Sequence, residues 1–154
     1  MVMNPPLKER MAEVRRRLKD ADPTIGFLAP PAPRQSFPAE VPVSYQEFLR
    51  EADGAACGVV MLYESKGLLQ QQASVKDIPG GRQRWFCAGS VEDYPIVIDR
   101  RTGAVHLVPL EGHFDFDNSL GDLDYFLLTS VFGPDYADFV LDPEADPWYQ
   151  LVRQ

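Results

Sequence analysis

The sequence predicts an α+β fold, an antiparallel or mixed sheet flanked by N- and C-terminal helices. Three observations carry this. Helical periodicity marks residues 5–19 and 43–52 and returns after residue 119, with short apolar runs between 59 and 108. Two of those runs alternate with period two around Arg100-Arg101-Thr102-Gly103, the pattern of a hairpin with Gly where positive φ is needed. Helices and strands are segregated along the chain rather than interleaved, which favours α+β over a wound parallel sheet.

Residues 5–19 read as an amphipathic helix, with Leu7, Met11, Val14 and Leu18 on one face. Asn4 is the expected N-cap, and Pro5 fits the first helical position, where an N–H has no partner anyway. Arg15, Arg16, Arg17 and Lys19 suit the negative end of the helix dipole and read as a solvated helix end. Residues 20–42 form a Pro-rich connector, too apolar at Ile25, Phe27, Leu28 and Phe37 to hang free, so an extended wrap over the domain is expected. A second helix spans 43–52, with Ser44 and Glu47 at capping-box spacing and Asp53-Gly54 as its stop.

Strands are expected at Val59–Tyr63, Gln83–Cys87, Tyr94–Asp99 and Ala104–Val108. Between the first two, 64–75 is a short helix or loop, and 77–81 is a turn. A third helix is read over 119–131, a short one after Pro134, and a last turn opened by Asp146-Pro147. Tyr45, Phe48, Leu49, Trp85, Phe86, Ile96, Ile98, Val105, Phe126 and Leu127 are expected to share one core.

At 154 residues the chain is expected to be a single domain, since domains commonly run to about 100–150 residues. No stretch approaches the ~20 apolar residues of a membrane helix, and MVMNPPLKER lacks the apolar centre of a secretory leader. The expected compartment is the cytoplasm. Cys57 and Cys87 have no CxxC partner and sit among apolar residues, which reads as buried, reduced thiols; spacing alone leaves a disulfide open.

The net charge of −8 is unevenly placed. Residues 1–101 hold 14 cations against 13 carboxylates; the remaining 53 residues hold 1 against 10. Such a field repels nucleic acid and attracts basic partners, although an acidic surface kept for solubility has the same composition.

Catalytic patterns are weak. His113, Asp115 and Asp117 alternate with Phe114 and Phe116, so an extended backbone places three polar groups on one face. That could hold a metal in a small metal-dependent enzyme, but Leu120 and Phe126 stand where a calcium loop needs Gly and Glu. A strand edge or loop with two anchoring phenylalanines is the simpler reading. Gly80-Gly81-Arg82 lacks the Gly-Lys-Ser/Thr ending of a phosphate loop, and Gly89-Ser90 lacks the frame of a hydrolase elbow. No catalytic, cofactor or metal residue is assigned.

Three segments together resemble the SUKH (Smi/Knr-like) superfamily over roughly residues 40–132. VPVSYQEFLREADG resembles its opening motif, DYPIVIDRRTGAVHLV its central hairpin, and NSLGDLDYFLLTSVFG its closing helix. Asp53-Gly54-Ala55 departs from the usual Asn-Gly-Gly, and the C-terminal helical extension 133–154 lies outside the core pattern, as residues 1–42 do. The resemblance implies a non-enzymatic immunity protein of a bacterial toxin system that binds a basic, nuclease-type toxin directly. A regulatory scaffold of the cell-wall-regulator type is the alternative. The acidic last third suits a toxin's basic cleft, and the expected contacts are Glu92, Asp93, Glu111, Asp115, Asp117, Asp122 and Asp124.

Overall fold

The structure, a computed structural model, describes residues 3–33 and 36–153. Its elements are α1 (Pro5–Lys19), β1 (Gly26–Leu28), α2 (Val43–Glu51), β2 (Ala55–Cys57), β3 (Val60–Leu62), a 3-10 segment Leu68–Val75, the one-turn α3 (Gly81–Arg84), β4 (Trp85–Val91), β5 (Tyr94–Asp99), β6 (Val105–Leu107), α4 (Leu123–Phe126) running into a π-helical turn Leu127–Val131, two 3-10 turns, and α5 (Pro147–Val152). The six strands form one sheet in chain order, every neighbouring pair antiparallel. The class is α+β. No described helix is long and apolar enough to cross a membrane.

Two strands lie where none was expected. β1 sits inside the Pro-rich connector and β2 follows the Asp53-Gly54 stop; each has three residues, too few for a period-two signal to emerge from sequence. β4 extends past Cys87 to Val91 and pairs along its length with β5. Gly89 permits this, because a Cβ there would lie 1.9 Å from the Met61 carbonyl oxygen on β3. The two expected N-terminal caps of α1 and α2 form differently. Neither Asn4 nor Ser44 caps through its side chain, and Pro42 holds the N-cap position of α2. The third helix begins at Leu123, four residues later than expected. Asp122 is its true cap, accepting from Tyr125 N at 2.8 Å, and pairs as an isolated bridge with Ala104. Asp146 caps α5 as the sequence indicates, accepting from Tyr149 N at 3.0 Å.

Strand alternation splits the buried residues into two clusters. Phe86, Ile98 and Val105 are cross-strand partners on one face, where they meet Leu7, Met11 and Val14 of α1, Tyr45, Phe48 and Leu49 of α2, and Phe126, Leu127 and Trp148. Cys87, Val97 and His106 are partners on the opposite face, covered by Val75, Ile78 and Trp85. Trp85 therefore belongs to the second cluster rather than the main core, because it alternates with Phe86.

The arginines of α1 correct the reading of a solvated helix end. Arg15 Nη2 donates to the carbonyls of Ala29 at 2.6 Å and Glu51 at 2.7 Å; Arg17 donates to Leu151 O at 2.8 Å. Arg10 donates to Phe132 O at 2.7 Å and also to Val152 O. Ala29 follows β1, while the other four carbonyls lie at the ends of α2, α5 and the π-helical turn, whose last C=O groups have no partner within the helix. One helix thus caps three others, and Arg16 and Lys19 remain exposed.

Candidate protein-interaction surface

The segment after β6 leaves the sheet where Val108 N donates to Pro95 O at 2.9 Å, beside the β4–β5 hairpin. It returns at the other end of β6, where Val105 N donates to Gly121 O and Leu120 N to Val105 O, both at 2.8 Å. Residues 109–119 therefore run the length of the β6 edge. Phe114 and Phe116 pin them down. Their ring centroids lie 4.9 and 5.9 Å from Trp85, and Phe114 lies 5.4 Å from buried His106. Arg84 stacks on Trp85 and Phe116 at 4.8 and 4.9 Å and pairs with Asp99 at 3.1 Å. Within this network the Asp99 carboxyl is held below the usual range. Burial opposes that shift and is the largest single influence, but the Arg101 N–H and Arg84 together outweigh it.

Phe114 is half-buried and Phe116 stays 40% exposed with Arg84 stacked on its ring, while His113, Asp115 and Asp117 between and beside them are exposed. Asp115 Oδ1 accepts from Asp117 N at 2.9 Å, a local turn. Among the described residues no three His, Cys, Asp or Glu groups gather closely enough to hold a metal ion.

The seven expected contact carboxylates fall into three settings. Glu92 and Asp93 are exposed at the tip of the β4–β5 hairpin, where Glu92 takes φ 52°. Glu111, Asp115 and Asp117 are exposed along the β6 edge. Asp122 and Asp124 have structural tasks: Asp122 caps α4, and Asp124 Oδ2 accepts from Asn4 N at 2.9 Å. Among the described residues the carboxylates of Glu92, Asp93, Glu111 and Asp117 have no hydrogen-bond or ion-pair partner.

At the other end of the sheet lies a surface the sequence reading missed. Phe27, Ala56 and Met61 are cross-strand partners on β1, β2 and β3, pointing away from the main core. Phe27 is 55% exposed and Met61 46%. Beside them is a hollow of about 280 Å³ lined by Phe27, Ala29, Met61 and Tyr63. A second hollow, of about 580 Å³, lies against Phe37, Pro38, Val41 and Leu69. Asp53, Glu64 and Lys66 line both. The connector was expected to wrap over the domain; Ile25, Leu28 and Phe37 do pack against the core, but Phe27 faces outward. Phe27 and Met61 are the middle residues of three-residue strands, too short to show their alternation in sequence, and sequence does not say whether anything covers that face.

Cys57 and Cys87 are both buried and free. Burial pushes both thiols up, away from the reactive thiolate form. Compared with protein-family models, curated proteins and solved structures, the chain matches none.

Proposed function

We propose that this chain is a non-enzymatic binding protein of the immunity type, neutralising a basic, nuclease-type toxin by direct association. The observation that carries the reading is the acidic margin of β6. Glu111, Asp115 and Asp117 stand exposed on a segment fixed by Phe114 and Phe116 against Trp85. Fixed carboxylates of one sign steer a basic partner into contact and lose little freedom on binding. The sequence resemblance to the SUKH superfamily points the same way. Co-expression with toxins encoded beside the gene is the direct test: protection and a stoichiometric complex are expected, and failure against every neighbouring toxin overturns the reading.

A regulatory scaffold is the second reading, favoured by the apolar row Phe27–Ala56–Met61 at the opposite end of the sheet. An affinity capture that returns housekeeping enzymes in place of a toxin would select it.

A further inference from the structure

The two hollows beside β1 and β3 share a polar saddle. Asp53, Glu64 and Lys66 line both, with apolar walls to either side: Phe27 and Met61 on one flank, Phe37 and Leu69 on the other. Asp53 is held in place, its Oδ1 accepting from Ser65 N at 2.7 Å. Phe37 is held too, its ring 5.4 Å from the Arg50 guanidinium. Glu64 and Lys66 are exposed and unpaired among the described residues. Among the described residues that line both hollows, the saddle offers two carboxylates against one ammonium, so a cation crossing it is favoured over an anion.

We infer that this groove docks an extended segment of a protein partner in which a basic side chain lies between two apolar ones at alternate positions. Alternate residues of an extended chain share one face, so two apolar side chains fill the hollows while the basic one lies over Asp53 and Glu64. Arginine fits best, because its planar fork pairs with a carboxylate through two parallel hydrogen bonds. The exposed row Phe27–Ala56–Met61 continues the apolar contact beyond the smaller hollow. The inference rests on the chain being a binding protein but not on its partner being a toxin.

The test uses the full chain and three acetylated, amidated pentapeptides, Leu-Ala-X-Ala-Leu with X as Arg, Ala or Glu, followed by amide chemical shifts. The arginine peptide is expected to shift Met61, Glu64 and Leu69 and to bind roughly tenfold tighter than the glutamate peptide. Glu64→Lys is expected to reverse that order while leaving the fold intact, since the residue is exposed. Equal binding of all three peptides, shifts that map elsewhere, or an unchanged order in Glu64→Lys would each overturn the inference. Sedimentation showing a dimer that Met61→Lys dissolves would also overturn it, assigning the groove to a second copy of this chain. Toxin co-expression is read separately: arginine-peptide binding without toxin protection keeps the groove and removes the immunity reading.

Discussion

The side chain of Gln72 pairs with the backbone of Cys87 as a neighbouring strand would. Its Oε1 accepts from Cys87 N at 2.8 Å and its Nε2 donates to Cys87 O at 2.9 Å. β3 has ended by this point, and the β4–β5 register shifts between Cys87 and Gly89, so a buried side-chain amide completes the ladder. Gln72 is only 2% exposed. Gln72→Leu keeps the volume but strands a buried N–H and a buried C=O. A loss of roughly 2–5 kcal/mol is expected from two such groups. Urea unfolding should show a lower midpoint at unchanged slope; a midpoint equal to the parent's would mean that water or a rearranged strand replaces the amide.

The capping arginines of α1 separate cleanly by position. Arg15→Ala removes both bonds that hold Ala29 O and Glu51 O, and a loss of roughly 1.5–3 kcal/mol is expected from charged donors. Arg16→Ala, one residue on and exposed, should stay within about 0.5 kcal/mol. Equal effects from the two variants would restore the view of this helix end as simply solvated.

This contrast shows what was legible in sequence. The apolar face of α1 and the β5–β6 hairpin follow from local periodicity and turn chemistry, and both stand in the structure. Phe114 and Phe116 were readable as anchors because their polar neighbours alternate with them. What Arg10, Arg15 and Arg17 do was not readable. Their acceptors lie as far away as Val152, and carbonyl groups leave no mark in a sequence. The β1–β3 groove was hidden for the same reason: Phe37 and Leu69 become neighbours only once the connector has folded back. In sequence Asp122 and Asp124 look like the exposed carboxylates beside them, because charge alone does not distinguish a helix cap from a contact.

The buried cysteines make stability fall in alkali. Burial raises both thiols above their unfolded range, so unfolding releases protons once the pH exceeds the free thiol value of about 8.5. Their contribution is fully present below that pH and is lost as pH rises through the interval up to the folded values. The expected slope is up to about 1.4 kcal/mol per pH unit for each thiol. Denaturant titrations from pH 8 to 10.5 should show it, and Cys57→Ala should flatten the slope. Thiol reagents should label neither residue below the unfolding transition; rapid labelling of Cys57 in the native protein would contradict its burial.

The acidic margin gives the sharpest test of partner binding, because its carboxylates divide into free and structural ones. Reversing Glu111, Asp115 and Asp117 to Lys touches exposed groups, of which only Asp115 holds a bond, the exposed local turn to Asp117 N, so the fold should remain nearly as stable as the parent. Asp122→Lys behaves otherwise. It removes the cap on Tyr125 N, and about 0.5–2 kcal/mol of stability should go with it. If the margin steers a basic partner, the parent's association rate should fall steeply with added salt, since screening shortens the reach of exposed charge to about 8 Å at physiological ionic strength. The triple reversal should slow association and flatten or invert the salt dependence, leaving dissociation little changed. Stopped-flow mixing of parent and variant with a captured basic partner across a salt series measures this directly. An association rate indifferent to both salt and reversal would assign these carboxylates to solubility and place the interface at the β1–β3 end of the sheet.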